Sequence, residues 1–412
     1  MNPFFVIILA ILIGNYLLNL TVELLNLGAF KLQLPEEFKD AYDEQKYAQS
    51  QKYLRENTHF SLIHDTVMTA IILFFILSGG FNLIDEITRG FGFGNIATGL
   101  VFVGILYFGF QFINIPFAIY HTFVIEQKYG FNRTKPKTFI LDLLKGWLLA
   151  VILGGAVFTA IVWFFIKTGS FAWIYCWIAV TLFEIFLIVI APVLILPMFN
   201  KFIPLEQGDL RKVIQNYADS QNFRMKEIFK MDGSRRSSKS NAFFIGFGRF
   251  KRIALFDTLI QRHTTDELVS VLAHEIGHYK KKHILKRVII SIFTNGLMFF
   301  ILSLFINNPQ LFQAFKMQNV SVYASLVFFG ILYTPISMVL SIAGNILSRK
   351  HEYEADKFAV LTYKKPESFI EALKKLTVNN LSNLTPHPLK VFLQYSHPPV
   401  LNRIEAIRKA EL

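Results

Sequence analysis

The chain has 412 residues, 53% of them apolar and 15% aromatic, with only 17% charged. That is well below the charge of an ordinary soluble domain, so a wholly water-borne protein is excluded. The single cysteine, Cys176, rules out a disulfide framework and a cysteine-rich metal site, and the net charge of +13 has to be placed by its distribution.

Seven windows are long and apolar enough to cross the hydrocarbon core: roughly 3–26, 61–84, 98–124, 147–166, 172–196, 285–305 and 321–346. Each must be helical, because lipid offers backbone amides no partner outside the segment. The first lacks a basic leader, runs too long for a cleaved signal peptide and is followed by further spans, so it is expected to remain as a transmembrane helix. Lys plus Arg number five in 28–60, one in 85–97, five in 125–146, one in 167–171, sixteen in 197–284, one in 306–320 and eleven after 347. Basic and non-basic connections therefore alternate without exception. The positive-inside rule places the rich ones in the cytoplasm, with the amino terminus outside and the carboxyl terminus inside. The charge reads as a solvated face near anionic lipid, and not as a nucleic-acid surface.

The sequence divides into four stretches: five spans with two basic loops over 1–196, a polar segment over 197–284, two more spans over 285–347 and a polar tail over 348–412. In the polar segment a helix is expected at 210–221 and a strand pair at 227–231 and 252–256. Between those strands, Gly233 to Gly248 begins as a serine-rich loop and ends as a phenylalanine-rich third, exposed strand. A further helix starts near Thr265, with Asp266 and Glu267 in its first turn, and carries His274-Glu275-Ile276-Gly277-His278. Only Lys280 to His283 separate it from the sixth span, so it must sit at the membrane face. The seventh span likewise runs on into Glu352-Tyr353-Glu354-Ala355-Asp356, expected on the same helix.

Residues four apart share a helix face, so His274 and His278 can present nitrogen to one metal ion with Glu275 beside them. A hydrolytic zinc site takes three protein ligands and keeps one position open. Glu352 is the expected third ligand. Asp356, one turn later, is placed to hydrogen-bond a ligating imidazole, and Glu354 is expected to point away. Taken alone, Glu352 and Asp356 could equally be charges at a helix end; their place at the membrane face favours the site. Glu275 would take the proton of an attacking water and return it to the leaving amine. His397, in Tyr395-Ser396-His397-Pro398, is either a donor to the oxyanion or a structural histidine of the tail.

These motifs together resemble the type 1 CAAX prenyl proteases, a family of integral-membrane zinc metalloendopeptidases. The likeness rests on His274 to His278, Glu352 with Asp356, Ser240-Asn241-Ala242-Phe243-Phe244 and Tyr395 to Pro398. It extends to Glu126-Gln127-Lys128-Tyr129-Gly130-Phe131-Asn132 and to 196–205, and so runs over nearly the whole chain. The resemblance implies an α-helical integral-membrane fold of seven transmembrane helices closed into a hollow barrel. A cytoplasmic-side zinc peptidase region, helical with a small sheet, would sit at its rim. It also implies Glu352 as third ligand to one zinc ion, His397 as the transition-state histidine and Asn241, Ala242 and Phe243 as the strand that lines the substrate. Arg403 falls on the family's tail arginine, placed to pair with a site carboxylate. Brief outer loops liken the chain most to bacterial members, which implies a bacterial inner membrane, or the endoplasmic reticulum in a eukaryotic host.

The first expectation is therefore a zinc endopeptidase acting on peptides or lipidated carboxyl-terminal tails, in contact with membrane lipid and with no obligate protein partner. A quality-control protease of the heat-shock membrane type is the alternative within the same chemistry; seven spans rather than about four argue against it. A channel or transporter with a closed structural metal is the alternative outside it. The polar residues within spans, His64, Asp65, Gln111, Asn114, Glu184, Asn295 and Asn345, fit either a wet chamber or hydrogen bonds inside a bundle.

Overall fold

The computed structural model of the chain describes residues 2–31, 33–223, 225, 227–245 and 252–411. Gly246, Phe247 and Gly248 of the phenylalanine-rich stretch lie outside the described residues. The first five apolar windows lie in α1 (Pro3–Gly28), α2 (Glu44–Ser78), α3 (Asn95–Lys128), α4 (Pro136–Lys167) and α5 (Gly169–Phe199). Several overrun their windows, because polar turns at the basic end continue the helix beyond the apolar stretch. Local chemistry fixes the ends. Asn2 accepts from the Phe4 amide at 2.9 Å ahead of α1, Asp43 accepts from Lys46 at 2.6 Å ahead of α2, and Pro136 opens α4. Gly79 ends α2 in the left-handed region at φ 76°, where a side chain would be strained.

Beyond the fifth span the chain forms β1 (Phe202–Pro204), α6 (Asp209–Ser220), β2 (Glu227–Met231), β3 (Ala242–Ile245), β4 (Arg252–Phe256) and α7 (Thr265–Lys280). The strands form one sheet in the order β1-β2-β4-β3, with β2 and β4 parallel and both outer strands antiparallel to their neighbours. β3 is thus an edge strand, as expected of the phenylalanine-rich stretch, whereas β1 is a strand the sequence did not announce. Thr264 and Glu267 form a reciprocal capping box that starts α7.

The sixth span is α8 (His283–Phe305). The seventh is bent: α9 (Val322–Leu332) and α10 (Thr334–Tyr363) meet at 54°, with Pro335 in the first turn of α10. After α10, α11 (Pro366–Asn379) packs against α7, while α12 (Pro388–Gln394) and α13 (Val400–Glu411) pack against α10.

Within the membrane windows of the six straight spans, only 0% to 17% of residues are buried. A solid bundle would bury a stripe along each helix. Here the helices touch in a ring, α1, α2, α3, α4, α5, α8 and then α9 with α10, with α9 also crossing one end onto α3 and α4, so along their length they face lipid on one side and a hollow on the other. The end remote from the basic connections is closed by an aromatic cluster that includes Phe81, Phe102, Phe312, Phe315, Tyr323 and Phe328. The basic end carries the second core, built on α6, β2, β4, α7 and α11.

Candidate metal centre

α7 is held by its own sequence. Leu268, Val269, Leu272, Ala273 and Ile276 are buried in the second core, which turns the opposite helix face toward α10. The two helices approach closely at Gly277, where an added Cβ would lie 3.1 Å from the Ala355 backbone and 3.2 Å from Phe358 Cβ. This contact brings His274 and His278 against Glu352.

One ligand atom from each of His274, His278 and Glu352 lies within 4.8 Å of the other two. The Nε2 atoms of the two histidines are 3.1 Å apart, and they lie 3.4 Å and 3.3 Å from the two Glu352 oxygens. Glu352 is 2% exposed, and its Oε2 has no hydrogen-bond partner. A buried, unsatisfied carboxylate oxygen facing two imidazole nitrogens is costly unless a cation joins them, so this donor set fits a metal ion. Two imidazoles and one carboxylate leave a tetrahedral site one position short of closure.

Asp356 Oδ1 lies 2.8 Å from His274 Nδ1. Arg403 donates from Nε and Nη2 to the two Asp356 oxygens at 2.9 Å and 2.5 Å, and its Nη1 lies 3.7 Å from Glu352 Oε2. Burial disfavours charge on His274, yet the Asp356 and Glu352 carboxylates beside it outweigh that and push its pKa up to about 9. A metal would compete with that proton for the same nitrogen. Burial pushes the Glu275 carboxyl above its ordinary value, against the pull of His274 and His278. His397 is open to the hollow, with Nε2 3.5 Å from Glu352 Oε1 and Nδ1 2.9 Å from the Ser396 hydroxyl. Glu354 turns away from the three ligand atoms, as expected, but it is not idle: its Oε2 lies 3.0 Å from His283 Nε2.

Asn241 and Ala242 lie at the start of β3, which runs beside α7 and, among the described residues, pairs on one side only, with β4. The Asn241 carbonyl accepts from the Phe256 amide at 3.1 Å, and Phe243 is opposite Ala254 in register. Asn380 grips the preceding residue from both sides, accepting from Ser240 N at 3.1 Å and donating to Ser240 O at 3.2 Å. Below it, Lys239 Nζ reaches Tyr53 and Glu126 at 2.8 Å and 3.0 Å, and Ser238 N donates to Phe131 O at 3.0 Å. The Glu126 to Asn132 stretch is thus a dock for the loop that leads into β3. Neither Asn380 nor the His283–Glu354 pair was signalled by the sequence: each acts across 70 or more residues, and no periodicity marks it.

A multi-span barrel with such a centre at one rim defines a membrane-embedded metallopeptidase. Residues 24–201 match the model of the CAAX prenyl protease N-terminal region, described as five membrane helices, and residues 204–411 match that of peptidase family M48. The chain is 37% identical to the CAAX prenyl protease 1 homolog of Arabidopsis thaliana over 98% of its own length and 97% of that protein. It is 34% identical to CAAX prenyl protease 1 of Saccharomyces cerevisiae over 91% and 88%. The crystal structure of S. mikatae Ste24p superposes with a TM-score of 0.93 at 32% identity, covering 99% of each chain. The chain therefore belongs to the CAAX prenyl protease 1 family of membrane metalloendopeptidases, and the quality-control and channel alternatives fall away.

Proposed function

We propose that the chain is a zinc endopeptidase that removes the last residues of prenylated CAAX-type tails, with its centre on the cytoplasmic side of the membrane. The convergence of His274, His278 and Glu352 around an unsatisfied carboxylate oxygen carries the zinc assignment. Similarity to the CAAX prenyl proteases of plant and yeast supports the substrate class. The alternation of basic connections supports the orientation. It holds for a bacterial inner membrane and for an endoplasmic reticulum membrane alike.

In this account His274, His278 and Glu352 hold one zinc ion, which supplies Lewis acidity toward water and the scissile carbonyl. Glu275 removes a proton from the attacking water and later hands it to the leaving amine; its raised pKa suits a group that must both take and give one. His397 donates to the oxyanion from the open side of the centre. Asp356 fixes the His274 ring and Arg403 neutralises the buried Asp356 charge. The free edge of β3 at Asn241, Ala242 and Phe243 pairs with the substrate backbone, which aligns any tail without reading its side chains. The lipid group stays with the barrel and the membrane.

The test is cleavage of a farnesylated C-a-a-X peptide beside its unprenylated twin by the purified protein, with chelator and Glu275→Gln as controls. Chelator-sensitive, Glu275-dependent cutting that favours the farnesylated peptide is expected. Equal cutting of both peptides would refute the prenyl specificity.

A further inference from the structure

His278 has two ring nitrogens, and a neutral imidazole carries a proton on only one of them. Its Nε2 faces Glu352 and His274. Its Nδ1 lies 3.0 Å from Nδ1 of His283, the first residue of α8. The turn that allows this runs through Lys282, whose φ of 57° lets the chain double back between α7 and α8. The His283 side chain is 0% exposed, its ring stacked on His351 with centroids 4.0 Å apart and planes 13° apart. On its far side, His283 Nε2 lies 3.0 Å from Glu354 Oε2.

Hydrogen-bond chemistry allows one assignment along this chain. A carboxylate only accepts, so His283 Nε2 carries the proton and donates to Glu354. His283 Nδ1 is then the bare nitrogen. The contact between the two Nδ1 atoms needs one hydrogen, which must therefore belong to His278 Nδ1. That leaves the lone pair of His278 Nε2 directed at Glu352 and His274. We propose that His283 and Glu354 are positioning residues that lock His278 in its Nδ1–H tautomer and aim Nε2 at the metal position. The two histidine ligands are thus oriented by two separate carboxylates of α10 that leave the helix on different sides: Asp356 directly on His274, and Glu354 through His283 on His278. This rests on the assignment of His278 as a metal ligand.

The experiment measures the zinc affinity of the full-length protein by competition with a chromophoric chelator, and the visible spectrum of the cobalt-loaded form. Glu354→Leu removes the acceptor and should weaken zinc binding by about 10-fold to 100-fold and alter the cobalt bands. Glu354→Gln keeps an acceptor oxygen and should restore both, which a purely packing role would not produce. His278→Ala is the control for the underlying assignment. If it binds zinc as the parent does, the ligand assignment fails; if it loses zinc while Glu354→Leu matches the parent, the relay alone is overturned. Equal loss in Glu354→Leu and Glu354→Gln, with a lowered unfolding temperature in the metal-free protein, would assign the residue to the fold and also overturn it.

Discussion

The barrel and the peptidase half are held together by different physics. Along the straight spans no more than 17% of window residues are buried, and polar links between neighbours are sparse. Tyr16 meets Thr66 at 2.9 Å, His64 meets Asn114 at 2.8 Å, and Asn295 meets Glu184 at 3.0 Å. In α7, by contrast, every residue from Glu267 to Gly277 except the half-buried Glu275 is buried, and the buried Asp356 charge is paired with Arg403 and His274. The barrel needs to be hollow, so it cannot spend its helix faces on one another. The centre needs its ligands fixed to a fraction of an ångström, so it sits in a dense core at the rim. The exception within α7 is the one residue that must reach the hollow.

If this contrast is right, substitutions in the centre should be far more damaging than those between spans. The largest effect is expected of Glu275→Gln, which should cut turnover by about 10²-fold to 10⁴-fold while zinc content stays at the parent level. Replacing Arg403 by Leu strands the Asp356 carboxylate in a buried position. It should cost about 3–5 kcal/mol in the unfolding of the peptidase half, read by thermal unfolding in detergent. Gly277→Ala forces α7 from α10 and should cost about 1–3 kcal/mol, with a parallel fall in zinc affinity.

The two halves also meet at a charged clamp, where Lys374 and Arg408 grip Glu37 at 3.0 Å and 2.6 Å and Lys374 reaches Asp40 at 3.1 Å. Burial alone would raise the Glu37 pKa, but hydrogen bonds from Arg408 and Lys374 hold it below its ordinary value; the bond from Lys374 does the same for Asp40. A carboxylate depressed in the folded state stabilises fully above its unfolded pKa and loses that contribution as pH falls through the folded value. Acid should therefore loosen the clamp below the ordinary carboxylate range. Lys374→Met should move that transition to higher pH, and an unchanged acid midpoint by circular dichroism would remove the clamp from the account. The smallest effect is expected of Tyr16→Phe, about 0.6 kcal/mol, typical of one hydrogen bond between spans.

Much of this was legible in the sequence because the signals are local. The apolar windows, the alternating basic connections, the start of α7 near Thr265 and the strands at 227–231 and 252–256 each follow from a short stretch of residues. What stayed hidden depends on distant partners. β1 is three residues with a proline at its end, too short to show alternation, and exists because β2 offers it an edge. The 54° bend before Thr334 interrupts an unbroken apolar run, which periodicity alone reads as one rod. Glu354 was expected only to face away from the metal ligands; its partner His283 lies 71 residues earlier, on another helix. Asn380 likewise reaches Ser240 across 140 residues.

The most direct measurement pairs zinc content with product analysis: metal quantitation of the purified parent and Glu275→Gln proteins, and mass spectrometry of a farnesylated C-a-a-X peptide after incubation with each. The account predicts one zinc per chain in both, with a released tripeptide from the parent alone. A zinc-free but active parent, or equal release by Glu275→Gln, would contradict it.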